Sequence, residues 1–261
     1  MTNTHIPTVL CFSGHDPSGG AGVQSDIEVL THFKCHPCSV LTCLTVQDSS
    51  TVHRLIPLNP NDIIEQATVL FNDMAIDVIK IGLTGSVECV EAIAELIKQH
   101  PDIPVIFDPV LASGDGTSLA SNQLIESIKK QLLPLVTVLT PNTLEARQLT
   151  GLSSDVSLEL LGQYLLDTGV GYALITGGHE NGNSIINTLF HNEQAIEQST
   201  WERLAGEFHG SGCTLATAIA AQIALGNPIH EAIKVSQQYT DNALKSAVQI
   251  GKGQLFPKRI G

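Results

Sequence analysis

Short aliphatic and β-branched runs alternate with stretches of helical periodicity along almost the whole chain, and this alternation restricts the fold more than any other sequence feature. Residues 7–13 (PTVLCFS) read as a buried strand, followed by a glycine-rich turn and a helix over 22–33. A second strand is expected at 39–46. Asn59 then caps a helix that has Pro60 at its first position, with Ile63, Ala67 and Leu70 on one face. Strands at 77–81, 104–107, 136–139 and 172–176 alternate with helices at 87–99, 122–132, 142–149 and 156–166. Residues 184–190 and 195–199 predict a hairpin across HNEQ. Helices at 214–225 and 229–248 close the pattern, with Gly226 ending the first and Asn227-Pro228 opening the second. Alternation of this kind builds a mostly parallel sheet covered on both faces. Neither a repeat nor a Pro/Ser linker divides the 261 residues, so a single α/β domain over 1–261 is the expectation.

Composition narrows the partners. The net charge is −13, with no basic run to offset it, which argues against nucleic acid and anionic membrane surfaces. No apolar stretch reaches the roughly 20 residues of a membrane span, and residues 1–12 lack the pattern of a signal peptide. The six scattered cysteines fit free thiols in a reducing cytoplasm better than a disulfide framework. Cys35-His36-Pro37-Cys38 has C-x-x-C spacing but follows a helix and precedes a strand, the reverse of the redox arrangement.

Ligands of such sheets bind beyond the carboxyl ends of the strands, so the segments there matter most. SGHDPSGGAGVQSD (13–26) is neither a Walker loop nor a dinucleotide turn. Its glycines would let backbone approach a ligand, and a tight turn capped by Asp16 or Ser18 has the same signature. In LTVQD (44–48), Gln47 carries the donor and acceptor that can read a heterocycle's edge. In TPNTLEA (140–146), Asn142 and Glu145 have capping-box spacing, and the same pair could stand near a hydrated Mg²⁺. Gly210, Ser211 and Gly212 precede a helix striped by Leu215, Ile219 and Ile223. Unpaired amides at that helix start would make an anion site and lower the pKa of the Cys213 thiol.

Taken in order, SGHDPSGGAGVQSD, VQD, IKIGLTG, DPVLASGDG, TPNTLEA, GGH and HGSGCTLA resemble the hydroxymethylpyrimidine/phosphomethylpyrimidine kinases, within the ribokinase-like fold. The resemblance runs from about Pro7 to Lys252. It implies a three-layer α/β fold, usually homodimeric, and ATP and Mg²⁺ as cofactors. The acceptor would be 4-amino-5-hydroxymethyl-2-methylpyrimidine or its monophosphate. By motif, Asp26 and Gln47 would contact the pyrimidine, with Gly14, Leu83 and Val110 as pocket wall. Asn142, Glu145, Thr176 and Gly177 would serve ATP and its metal, with Glu145 reaching Mg²⁺ through water. Gly210, Ser211 and Gly212 would form the anion hole, with Cys213 at the catalytic position. Two departures stand out: Thr176 occupies a place where many members carry lysine, and the residue after Ala112 is serine rather than lysine. Lys80 is then the remaining cation near the sheet edge, unless a buried carboxylate pairs it. Two rival readings are a pyridoxal-type kinase and a catalytically silent pyrimidine-binding protein.

Overall fold

The computed structural model describes residues 5–113, 116–180 and 182–260. Gly114 and Asp115, within the DPVLASGDG motif, lie outside the described residues. Nine strands form one sheet: β1 Thr8–His15, β2 His36–Gln47, β3 Val52–Pro57, β4 Val78–Ile81, β5 Val105–Phe107, β6 Val138–Leu139, β7 Tyr172–Ile175, β8 Ser184–His191 and β9 Gln194–Glu202. Their order is β3-β2-β1-β4-β5-β6-β7-β8-β9. The six strands from β2 to β7 in this row are parallel, while β3, β8 and β9 are antiparallel additions at the two edges.

The helices are α1 Gly22–His32, α2 Pro60–Asp73, α3 Val87–Lys98, α4 Asn122–Ser127, α5 Thr143–Thr150, α6 Leu158–Asp167, α7 Ser211–Ala224 and α8 Ile229–Lys245. Alternate residues of the parallel strands enter two cores. Leu10, Phe12, Ile79, Ile81 and Phe107 pack against α2, α3 and the helices that follow. Val9, Cys11, Val78, Ile106 and Val138 pack against α7, α8 and Leu30 of α1. Helix α7 is buried continuously from Thr214 to Gln222, because its alanines let it lie close to the strands.

Most expected elements are present. Asn59 caps α2 by accepting the Asn61 N–H at 3.0 Å. The helix expected at 122–132 holds α-geometry only to Ser127 and then widens into a π-turn over Ile128–Leu132, ahead of Pro134. The antiparallel β3 was not expected; its sequence, VHRLIP, is polar or exposed on both faces and carries no period-two signal.

Between β1 and β4 the strand order reverses, with the chain running to β2 on one side and β5 on the other. Such a switch opens a crevice beyond the carboxyl ends of the strands. A cavity of about 1030 Å³ lies there, lined by residues that end or follow β1 (Ser13), β2 (Gln47), β4 (Gly82), β5 (Asp108), β6 (Thr140) and β7 (Thr176).

Candidate active site

The floor of the crevice is the start of α7. Gly210, its N-cap, has φ of +72° and makes no side-chain cap. A side chain there is excluded, since a Cβ would sit 2.2 Å from the Gly20 carbonyl oxygen. The first helical bond is Thr214 N–H to the Gly210 carbonyl at 2.9 Å, so the amides of Ser211, Gly212 and Cys213 precede the ladder. All four residues from Gly210 to Cys213 line the cavity. The helix start is therefore a positive, donor-rich surface facing the crevice.

The turn after β1 lies beside it. Asp16 accepts the amides of Ser18 (2.8 Å), Gly20 (3.1 Å) and Ala21 (2.8 Å), which makes the strand-to-helix turn. Its carboxylate also bonds His209 Nε2 at 2.8 Å. Burial alone would raise the Asp16 pKa. The bonds from His209 and Ser18 outweigh it and hold the carboxyl down at about 2. Gln47 reaches the same histidine, 3.3 Å from Nε2, and lines the cavity with Gly14, Leu83 and Val110.

Asp26 differs from expectation. It is fully buried, does not line the cavity and has no free oxygen to offer a heterocycle. Lys80 Nζ bonds it at 2.9 and 3.1 Å, and the hydroxyls of Ser13 and Thr217 complete its shell at 2.5 Å each. Asp26 stands at the first turns of α1, which faces the second core rather than the crevice. Lys80 is thus the lysine paired with a buried carboxylate, and it also lies at the inner edge of the cavity.

Cys213 also differs. Burial first, and then the Asp108 and Asp26 carboxylates, push the thiol up to about 12 against the pull of Lys80. The helix dipole does not overcome this desolvation, so the group is a thiol at neutral pH, its pKa raised where its place in the sequence suggested a lowered one.

Asp108 is the residue that the sequence reading left without a role. It directly follows β5 at the bottom of the crevice and is 5% exposed. A Cβ on Gly212 would stand 3.4 Å from both of its oxygens, and the Cys213 thiol is among the groups that act on its carboxyl. Its position directly after a buried strand was the available signal. Glu145 lies near by, 8% exposed. It forms the reciprocal capping box with Asn142: its side chain accepts the Asn142 N–H at 2.9 Å, while Asn142 Oδ1 accepts the Leu144 and Glu145 amides. Desolvation raises both carboxyls, and the negative charge of Asp108 raises Glu145 further. Among the described residues no cation bonds Glu145, which accepts only amides of Asn142 and Leu111. Hard carboxylate oxygens with unbalanced charge suit Mg²⁺ in its usual partly hydrated state. No group of three metal-ligating side chains accompanies them among the described residues, so most of its shell would be water or phosphate.

Toward β7, Thr176 lines the cavity and Gly177 does not. Gly177 donates its amide to Asn187 Oδ1 at 3.2 Å, and a Cβ would meet the Ile186 carbonyl at 2.3 Å. It shapes the wall from behind.

A doubly wound α/β sheet with an anion-binding helix start at its switch point, and two desolvated carboxylates in the same crevice, defines a phosphotransferase of the ribokinase-like class. The chain belongs to the phosphomethylpyrimidine kinase family, whose profile matches residues 16–257. It is 34% identical over 250 residues to the hydroxymethylpyrimidine/phosphomethylpyrimidine kinase of Streptomyces coelicolor, covering 95% of this chain and 92% of that one. It is 33% identical over 248 residues to the thiamine biosynthesis bifunctional protein of Geobacter sulfurreducens, covering 94% of this chain but spanning only 51% of that protein. The fold is shared with Bacillus subtilis pyridoxal kinase, solved as an ADP complex, at a TM-score of 0.90, 26% identity and 98% coverage of both chains. None of the helices among the described residues is long and apolar enough to cross a membrane.

Proposed function

We propose that this chain transfers the γ-phosphoryl group of ATP to 4-amino-5-hydroxymethyl-2-methylpyrimidine and then to its monophosphate, in the cytoplasm and as a single-domain protomer of a homodimer. The observation that carries the reading is the helix start at Gly210–Cys213, open to a cavity that Gln47, Leu83 and Val110 also line. A homodimer is supported by the outer face of the β2–β3 edge, where Leu44, Val46 and Ile56 are exposed and Leu44 pairs with Ile56.

In this reading Gln47 addresses the ring edge, with its side chain beside the His209 ring, whose Nε2–H goes to Asp16. The amides of Ser211, Gly212 and Cys213 take up charge on the transferred group. Asp108, beside Gly212 and Cys213, accepts the proton of the attacking hydroxyl. Asn142 and Glu145 hold Mg²⁺ through water, and the ion supplies neutralising charge for the phosphates. Thr176 brings no charge, so the helix start carries more of that task.

ATP consumption measured side by side with the free pyrimidine, its monophosphate and pyridoxal tests the reading. Turnover of both pyrimidines is expected, with the monophosphate the better acceptor because its attacking oxygen needs no proton removed. Pyridoxal as the preferred acceptor would install the pyridoxal-type reading, and binding without turnover would install the silent binding protein.

The thiol's protonated state gives a sharper expectation. A neutral Cys213 near Asp108 shapes the hole and is not a base. Cys213→Ala should therefore lower kcat/KM for the two pyrimidines by the same factor, about tenfold, in line with loss of one polar neighbour of a charged group. Cys213→Ser should recover most of that loss. A selective collapse of the free-pyrimidine step would return Cys213 to the role of base.

A further inference from the structure

Residues 254–259 form a strap behind the anion-hole loop. Leu255 donates to the Glu207 carbonyl at 2.8 Å and accepts the His209 N–H at 2.9 Å. Phe256 pairs with Val248 by N–H to O at 2.9 Å and sets its ring edge-on to His209, 5.6 Å between centroids. Lys258 N–H reaches the Ala243 carbonyl at 3.0 Å, and the Tyr239 hydroxyl donates to the Arg259 carbonyl at 2.8 Å. The strap thus joins α8 to the segment entering α7.

Arg259 ends this path, 3% exposed and outside the 16–257 span of the family profile. It does not line the cavity. Its guanidinium reaches four elements. Nε donates to Thr214 Oγ1 at 2.8 Å in the first turn of α7, and Nη1 to Glu28 Oε2 at 3.0 Å in α1. Nη2 donates to the carbonyls of Gly20 and His209, one from each glycine loop. Those two loops touch: a Cβ on Gly210 would stand 2.2 Å from Gly20 O and 2.9 Å from Nη2. Two carbonyl dipoles converging on one buried point repel unless a cation lies between them, and Arg259 supplies it.

The consequence reaches the cavity through peptide planarity. In a trans peptide the C=O and the following N–H point in opposite directions. With the His209 carbonyl drawn back to Arg259, the Gly210 N–H is turned away from the strap. With the Gly20 carbonyl drawn the same way, the Ala21 N–H reaches Asp16, whose carboxylate returns to the His209 ring. The ring Arg259, Gly20, Ala21, Asp16, His209 closes on itself, and Thr214 adds a second tie by donating to the Gly210 carbonyl at 2.8 Å.

We infer that Arg259 is a positioning residue for phosphoryl transfer, which locks the Gly20 and His209–Gly210 peptides so that the helix-start amides face the reacting phosphate. The inference rests on the anion-hole reading above. Misplacing a catalytic element by about 1 Å from outside the site can cost about 100-fold in rate. Arg259→Ala should accordingly lower kcat by about 10- to 100-fold, with the KM of the pyrimidine changed less than about threefold. Arg259→Lys keeps the ion pair with Glu28 but cannot span Thr214 and two carbonyls, and should recover only part of the rate. Added guanidinium should raise kcat of Arg259→Ala and leave Arg259→Lys unmoved. Lys258→Ala, one residue away and exposed, should equal the parent.

Alkylation of Cys213 by iodoacetamide, followed by peptide mass, reads the loop without any substrate. It should speed up about tenfold or more in Arg259→Ala, because five of the six cysteines are buried and Cys213 alone lies on the strapped loop. Parental kcat in Arg259→Ala, or a lower Tm with parental kcat and parental alkylation, would overturn the inference. A parent that phosphorylates none of the acceptors would sink the functional reading instead, and the alkylation rates would still decide whether Arg259 holds the loop.

Discussion

Asp108→Asn should inactivate the enzyme while making it more heat-resistant. The two effects have opposite signs because one carboxylate causes both. Asp108 and Glu145 are both desolvated, and the negative charge of Asp108 raises the cost of ionising Glu145. An amide of the same shape removes that repulsion, so Tm of the metal-free protein should rise. The amide cannot accept a proton from a hydroxyl or balance a cation. Loss of general-base help alone is worth about 10²–10⁴ in kcat, and the free-pyrimidine step should show the full loss. The pH dependence follows from the direction of the shifts. A carboxyl raised in the folded state is stabilising below its unfolded pKa and loses that contribution as pH rises through its folded value. Metal-free parent protein should therefore lose Tm as pH climbs from the ordinary carboxylate range toward neutrality, and Asp108→Asn should lose less. Mg²⁺ should restore Tm at the upper end of that window in the parent more than in the variant, measured by thermal melts with and without the ion. A variant with parental kcat would remove Asp108 from the chemistry, and one with lowered Tm would show that the pair is not repulsive.

Local signals in the sequence carried much of the architecture. The central parallel strands β1, β4, β5, β6 and β7 are aliphatic runs buried on both faces, and burial on both faces leaves composition as a sufficient marker. The start of α2 at Asn59-Pro60 and the Asn142–Glu145 box are written in adjacent residues, so they were legible. What depends on distant residues was not. Asp26 falls in a ligand-like motif, yet its partners Lys80, Ser13 and Thr217 come from β4, β1 and α7, and only the folded sheet brings them together. The thiol of Cys213 has the local signature of a lowered pKa. The opposite shift comes from burial against Asp108, which lies more than a hundred positions earlier in the chain. Arg259 has no local pattern at all; its meaning lies in two carbonyls that converge from remote loops.

The largest stability effect should come from breaking the Asp26–Lys80 pair. Both groups are shut away from water, Lys80 fully and Asp26 almost so, with an N–O distance of 2.9 Å. Burial works against the ammonium, and the facing negative charge of Asp26, first among its neighbours, more than offsets it and raises the Lys80 pKa. Removing one partner leaves the other charge uncompensated in the core, a loss of about 3–5 kcal/mol. Asp26→Ala and Lys80→Met should each show it in urea unfolding at neutral pH, with Asp26→Ala recovering in part at high pH, where the orphaned lysine sheds its proton. The double change Asp26→Leu/Lys80→Met removes both charges together, and such replacements are commonly neutral or stabilising. Stability should therefore return in the double variant, giving a coupling energy of several kcal/mol in a mutant cycle. Activity should not return with it. Lys80 lies at the inner edge of the cavity, and its charge also reaches Asp108 and Cys213. Without it Asp108 becomes harder to ionise, so a stable double variant should still turn over the free pyrimidine poorly at neutral pH and gain rate as pH rises. If the double variant is both stable and fully active at neutral pH, the ion pair serves only the core, and the lysine at the crevice edge has no part in the reaction.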